Sequence, residues 1–130
     1  MASELRVNTL KDASGNNSVG MSTVANGSAK AFISFDGTGT VSIDTSFNVS
    51  TLTDHGSAEY SITYSNNMGT SNHPITGSNV GSSETNFYSY ICSTGVAQTT
   101  SVDRIHSVHN NGSANNDQDP VHLVTNGDLA

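Results

Sequence analysis

The chain has 130 residues, a formal net charge of −7 and only 33% hydrophobic residues, so it can build one domain with a modest core. Lys and Arg occupy four positions, too few for the basic stripe that a nucleic-acid-binding protein needs. No apolar run approaches the roughly 20 residues that span a bilayer, and the first residues lack the apolar core of a secretory signal. We therefore expect no nucleic-acid partner, no membrane insertion and no export by the usual route.

Ser, Thr and Asn fill 51 positions, and strong helix formers are scarce, which favours an all-β protein. The first 26 residues hold too few apolar groups to fold alone. Leu5, Val7 and Leu10 predict one short strand, a polar turn follows at residues 12–17, and a weak apolar run ends at Gly27. We call residues 1–26 the arm. It is expected to attach to the domain, to a copy of the chain or to a larger partner.

Short apolar clusters predict four strands between the arm and residue 64. The clearest covers residues 59–64, where Tyr60, Ile62 and Tyr64 share one face. The others cover residues 30–35, 40–44 and 47–53. Because short turns separate all four, we expect a meander, in which each strand pairs with the next.

The second half predicts five further strands, at residues 75–80, 85–92, 96–102, 104–109 and 121–125. Apolar residues on both faces of 85–92 predict a central strand, and the aperiodic polar stretch 110–120 predicts a long surface loop. Cys92 is the only cysteine, which excludes an intrachain disulfide; its apolar neighbours predict a buried thiol. Together these elements predict a small antiparallel β-sandwich or jelly-roll-like domain over residues 27–130, with an extended N-terminal arm.

Three stretches carry a resemblance to a known family. They are LRVNTLKDASGN at residues 5–16, AKAFISFDGTGTV at 29–41 and SFNVSTLTDHG at 46–56. They resemble a module of bacteriophage tail fibre and appendage proteins, particularly from phages of marine bacteria and cyanobacteria. The resemblance covers residues 5–68, includes no catalytic residue and departs from the family at Phe32, where Trp is usual.

This resemblance implies a virion protein, usually a homotrimer, made in the host cytoplasm and carried on the capsid or tail surface. One interpretation is structural: a capsid-decorating, short fibre or tail-appendage component that docks on other virion proteins through Leu5, Val7 and Leu10 and self-associates. The other is a receptor-binding fibre domain that contacts host-surface glycan or protein. Its exposed contact groups would be Tyr88, Tyr90, Asn110, Asn115 and Asp117. The short chain, which has no shaft, favours the structural interpretation.

Candidate catalytic and metal-binding patterns are weak. Of the five histidines (His55, His73, His106, His109 and His122), His106 and His109 are closest, but on a strand they point to opposite faces. A threefold axis could bring together three copies of His109 or of His122. Residues 115–119 resemble part of a calcium loop but lack its glycine and closing glutamate. Because the sequence has no nucleophile elbow and no distinctive carboxylate pair, we expect no enzymatic activity, no bound metal and no cofactor.

Overall fold

The computed structural model describes residues 5–80, 88–93, 95–110 and 117–130. Its elements in these ranges are, in chain order, β1 Thr9–Lys11, β2 Ser18–Gly20, α1 Met21–Gly27, β3 Ala29–Asp36, β4 Ser42–Phe47, β5 Val49–Asp54, β6 Glu59–Tyr64, β7 Ile75–Asn79, β8 Tyr88–Ser93, β9 Val102–Asn110 and β10 Val121–Asn126. The predicted all-β class is confirmed. In the part of the chain that is described, no helix has the length and apolarity to cross a bilayer.

Eight strands form two antiparallel sheets. Sheet 1 has the order β4-β3-β10-β7, and sheet 2 has the order β5-β6-β9-β8. Both sheets contribute to one buried cluster, made of Ala31, Ile33, Phe35, Tyr60, Ile62, Tyr64, Met68, Ile105, Val121 and Leu123. The alternation predicted for residues 30–35 and 59–64 is confirmed, because every second side chain of β3 and β6 enters this cluster. Burial of these apolar groups is the main driving force that holds the sheets together.

The predicted meander is wrong, because the chain changes sheets at Asn48. This residue separates β4 in sheet 1 from β5 in sheet 2, so β4 pairs with β3 and β5 pairs with β6. Asn48 has a φ of 57°, a left-handed conformation that Asn tolerates better than most residues. Its side chain holds the corner, since Nδ2 donates to the carbonyl of Asn66 at 3.0 Å and Oδ1 accepts from the Asn66 amide at 2.7 Å. The strand predicted at 47–53 is therefore two strands divided by a corner.

Two predictions in the second half are also wrong. Within the described residues, β8 lies at the edge of sheet 2 rather than at its centre. Residues 96–101 form no strand, because the Thr99 hydroxyl accepts from the Val102 amide at 2.8 Å and the Thr99 amide donates to the Val102 carbonyl at 3.1 Å. This side-chain turn ends just where β9 begins. Two of the predicted elements lie partly outside the described residues: strand 85–92 and loop 110–120. The residues concerned are 81–87, 94 and 111–116.

Candidate functional site

The described part of the arm is a small hairpin followed by a helix. Strands β1 and β2 pair so that Leu10 lies opposite Val19, and α1 follows directly. The helix was not predicted, because its Ser, Thr and Asn residues are weak helix formers and Gly20 supplies no side-chain cap. No residue of β1, β2 or α1 is buried. Two strands alone are marginally stable in water, so the arm gains little from its own contacts.

The three residues predicted for attachment all lie at the surface of the arm. Leu5 is 81% exposed, Val7 is 36% exposed and Leu10 is 43% exposed. Beside Leu10, the hairpin encloses an open concavity of about 260 Å³ that also includes Lys11 and Val19. The arm thus presents apolar side chains without covering them.

Asp12 organises the turn of the hairpin. Its Oδ1 accepts from the Ser14 hydroxyl at 2.8 Å and from the Asn16 amide at 3.1 Å, and its Oδ2 accepts from Asn17 Nδ2 at 2.7 Å. The hydrogen bond from Ser14, followed by those from Asn17 and Asn16, lowers the pKa of the Asp12 carboxyl below its ordinary value. Gly15 provides the left-handed position of the turn, with a φ of 71°. The polar turn at 12–17 is therefore as predicted.

A one-residue link, Ser28, joins the arm to the domain. The Ser28 amide donates to the Val24 carbonyl at 3.1 Å, which ends α1. Lys30 of β3 reaches back, and its Nζ donates to the Ala25 carbonyl and to the Ser28 hydroxyl. These bonds fix the direction in which the arm leaves β3.

The outer face of sheet 1 carries an apolar row that crosses three strands. Phe47 of β4 lies opposite Phe32 of β3, and Phe32 lies opposite Val124 of β10. The two rings stack with centroids 5.9 Å apart. Phe47 is 52% exposed, Phe32 is 39% exposed and Val124 is 40% exposed. Thr76 of β7 continues the row. Two adjacent exposed rings on a protein of this size mark a surface that gains from being covered.

Polar groups flank this row. On one side, the Ser34 hydroxyl donates to Asp44 Oδ2 at 3.3 Å. Next to Val124, an open groove of about 220 Å³ runs between β7 and β10 and includes Ser78 and His122. The outer face of sheet 1 therefore combines an apolar row with a carboxylate and hydroxyl groups.

A buried polar cluster lies between the sheets, around Asp103 of β9. His73 Nε2 lies 2.9 Å from Asp103 Oδ2, and the Tyr64 hydroxyl donates to the same carboxylate oxygen. Gln98 Nε2 donates to Oδ1 at 3.2 Å, while the Tyr64 hydroxyl also lies 2.9 Å from Thr125 Oγ1 of sheet 1. Burial, and then the hydrogen bond to Asp103, raise the pKa of Tyr64 above its ordinary value. No local pattern in the sequence predicts this cluster, because its members lie up to 61 residues apart in the chain.

Asp117, one of the residues predicted to contact a ligand, forms hydrogen bonds within the domain. Its Oδ1 accepts from the Ala58 amide at 2.7 Å and from the Tyr60 hydroxyl at 2.9 Å. The Tyr60 hydroxyl also lies 3.0 Å from the carbonyl of Gly37, in the turn that follows β3. Burial, and then the hydrogen bond to Asp117, raise the pKa of Tyr60. Asp117 thus fastens its segment to the start of β6 in sheet 2, and the Tyr60 hydroxyl continues the contact to the turn after β3 of sheet 1.

The other predicted ligand-binding residues lie wholly or partly outside the described part of the structure. The backbones of Tyr88 and Asn110 pair at one end of β8 and β9, and Tyr90 pairs with Val108. Only the backbones of Tyr88, Tyr90 and Asn110 are described, and Asn115 lies outside the described residues. The predicted surface cluster stays a prediction.

The histidines are spread over the domain. His73 is buried, His55 and His122 are exposed, and His106 lies on the outer face of sheet 2, with Nε2 3.7 Å from a Glu59 oxygen. The backbone of His109 pairs with Ser89 in sheet 2. Within the described ranges, no three His, Cys, Asp or Glu side chains are grouped to hold a metal ion.

The outer face of sheet 2 holds a serine–histidine contact that no pattern in the sequence predicts. His55 Nε2 lies 2.8 Å from Ser61 Oγ. Nearby, Arg104 Nε lies 2.6 Å from Glu59 Oε1. In the described part of the chain, no carboxylate hydrogen-bonds the His55 ring, so this pair lacks the orienting acid of a catalytic triad.

Comparison with known proteins gives no match: no family model, no curated protein and no solved structure matches this chain.

Proposed function

We propose that the chain is a structural component of a bacteriophage particle, a small decorating, short-fibre or appendage protein that docks on other virion proteins through its arm. The observation that carries the proposal is the arm itself. It exposes Leu5, Val7 and Leu10 next to a domain that has its own buried core. The resemblance of residues 5–68 to phage appendage proteins supplies the class of assembly.

Three features support a docking role for the arm. It buries none of the residues in its strands and helix, so it depends on a partner for stability. Its direction is fixed by the bonds of Lys30 to Ala25 and Ser28, which reduces the entropy lost on binding. Its residues 1–26 have no net charge, with Arg6 and Lys11 balancing Glu4 and Asp12. A segment without net charge can approach an acidic surface without repulsion.

The domain over residues 27–130 serves in this proposal as a β-sandwich that is displayed on the particle. The buried cluster around Asp103 ties the sheets together where Tyr64 of sheet 2 meets Thr125 of sheet 1. The Tyr60 hydroxyl, which Asp117 binds, also donates to the Gly37 carbonyl in the turn after β3. Such networks hold a small core in one arrangement when all their members are satisfied. The proposal includes no catalytic step.

The first experiment tests incorporation into particles. Phage particles would be assembled with the wild-type chain, with Leu5→Ser/Val7→Ser/Leu10→Ser, and with the control Val80→Ser, which changes a 53% exposed residue outside the arm. We expect the arm variant to be incorporated at least tenfold less than wild type, at an unchanged melting temperature of the free protein. The control should be incorporated normally. Absence of the wild-type chain from particles, or equal incorporation of both variants, would overturn the proposal.

A second experiment tests self-association. Light scattering after size exclusion should give a mass near three times 13.5 kDa for the homotrimer. A mass of one chain would contradict self-association in solution. Binding of the free chain to host cells, competed by surface glycan, would favour the receptor-binding interpretation instead.

A further inference from the structure

We propose that the arm of one copy docks on the outer face of sheet 1 of a second copy, where its apolar side chains cover Phe47, Phe32 and Val124. This inference rests on the proposed docking role of the arm and names its partner. It joins two surfaces of the same chain, each of which is apolar and uncovered.

The first argument is the match of apolar groups. The arm offers Leu5, Val7 and Leu10, and the face offers two stacked rings and a valine. Covering both surfaces at once removes apolar area from water on each side, which is favourable at about 25 cal/mol per Å² before the costs of association. Aromatic residues at the centre of a contact supply a large share of the binding energy.

The second argument concerns charge. Residues 27–130 hold nine acidic and two basic residues, a net charge of −7, whereas residues 1–26 hold two of each and are neutral. Two domains therefore repel each other, while an arm and a domain do not. The exposed Lys11 beside Leu10 complements Asp44, whose carboxylate lies beside the apolar row, next to Ser34.

The third argument favours a second copy over the chain's own sheet. The arm is joined to β3 through Ser28 alone, and the bonds from Lys30 and from the Ser28 amide hold that link. Folding back over its own sheet would require the arm to break these bonds, whereas docking on a neighbour leaves them in place. Repeated from copy to copy, the contact can close into a ring, and exchanged between two copies it gives a twofold dimer.

The sharpest test is cross-linking of mixed chains. Every chain carries Cys92→Ser, which removes the native cysteine. One chain carries Val7→Cys, and a second chain, made longer by a tag, carries Phe47→Cys. A control chain with the same tag carries Leu129→Cys, at an exposed residue near the C-terminus. After mild oxidation, we expect the yield of the disulfide-linked dimer of the first two chains to be at least five times the yield of the dimer between the first chain and the control chain. A chain with both Val7→Cys and Phe47→Cys that gives only cross-linked monomer would place the arm on its own sheet. That result, or equal cross-linking to the control, overturns the inference.

Two sets of substitutions test the same contact without cysteines. Phe32→Ser and Phe47→Ser should each raise the dissociation constant for self-association about tenfold or more, while Leu129→Ser leaves it unchanged. Lys11→Glu and Asp44→Lys should each weaken association, and their combination should restore it. Thermal unfolding of each variant shows whether it still folds. If a Phe variant is unfolded, the two charge-reversing variants and their combination still test the contact. Unchanged association in all of them contradicts the inference.

The outcomes separate this inference from the proposed function. If cross-linking and association fail while the arm variant still blocks incorporation into particles, the arm docks on a different virion protein. The inference is then wrong, and the proposed function stands. If cross-linking succeeds but the chain is absent from particles, the self-assembly stands, and the proposed function is wrong.

Discussion

The imidazole of His73 and the carboxylate of Asp103 meet inside the core, with Nε2 3.0 Å from Oδ1 and 2.9 Å from Oδ2. His73 Nδ1 lies 2.8 Å from the carbonyl of Thr70, so both ring nitrogens face acceptors. The contact ties the loop before β7 to strand β9.

Replacing Asp103 by Ala removes the acceptor that His73, Tyr64 and Gln98 share. We expect the free energy of unfolding to fall by about 3–5 kcal/mol, because the buried donors of Tyr64 and Gln98 and the His73 ring lose their common acceptor, at about 1–3 kcal/mol for each unsatisfied group. Urea unfolding measures this loss. The control Asp44→Ala changes an exposed carboxylate and should cost no more than about 0.5 kcal/mol. Equal losses for the two variants would show that the buried pair adds nothing to stability.

The sequence predicts those parts of the fold that depend on local alternation. The bounds of β6 match the predicted 59–64, because Tyr60, Ile62 and Tyr64 alternate with polar residues. It does not predict the change of sheets at Asn48, because a strand that continues and one that turns a corner have the same apolar pattern. Nor does it predict the contact of His73 with Asp103, which forms only after the sheets pack.

The sequence singles out Leu5, Val7 and Leu10 of the candidate site, and all three lie at the surface, while their role in attachment stays a prediction. The row from Phe47 to Val124 was not anticipated, since its members meet only through the pairing of β3 with β4 and β10. Pairing between distant strands is a property of the tertiary fold and not of any local segment.

Gly37 allows the close approach of Tyr60 to the turn after β3. A Cβ at this position would lie 2.9 Å from the carbonyl oxygen of Gln118 and closer still to the Tyr60 hydroxyl. We expect Gly37→Ala to lower the free energy of unfolding by about 1–3 kcal/mol, as overpacking does. The control Gly27→Ala adds a methyl group at the end of α1 with no heavy atom within 4 Å, so it should leave stability unchanged or slightly higher. A neutral Gly37→Ala would show that the turn can move away from Tyr60.

Asn48 combines a left-handed backbone with side-chain bonds to Asn66. We expect Asn48→Ala to destabilise the fold by about 2 kcal/mol, because alanine loses both the bonds and the tolerance for positive φ. Asn48→Gly loses only the bonds and should cost about half as much. The control Asn66→Ala keeps the backbone amide and carbonyl that Asn48 binds, and should cost least. Chemical denaturation of the three variants ranks their losses of unfolding free energy. A larger loss for Asn48→Gly than for Asn48→Ala would show that the positive φ at this position is not what destabilises the alanine variant.

The two buried tyrosines predict a loss of stability in alkali. The pKa of Tyr60 and that of Tyr64 are raised above the ordinary value of 10.0, chiefly by burial, so the folded state keeps both hydroxyls protonated where the unfolded chain loses them. Their contribution is complete below pH 10 and is lost as the pH rises above it, by about 1.4 kcal/mol per pH unit for each tyrosine. Urea unfolding at pH 8, 9, 10 and 11 should show this fall. Tyr60→Phe and Tyr64→Phe should each make the loss of unfolding free energy with pH less steep, whereas the control Phe47→Leu should leave its slope unchanged. Equal slopes in all the proteins would show that neither hydroxyl causes the loss.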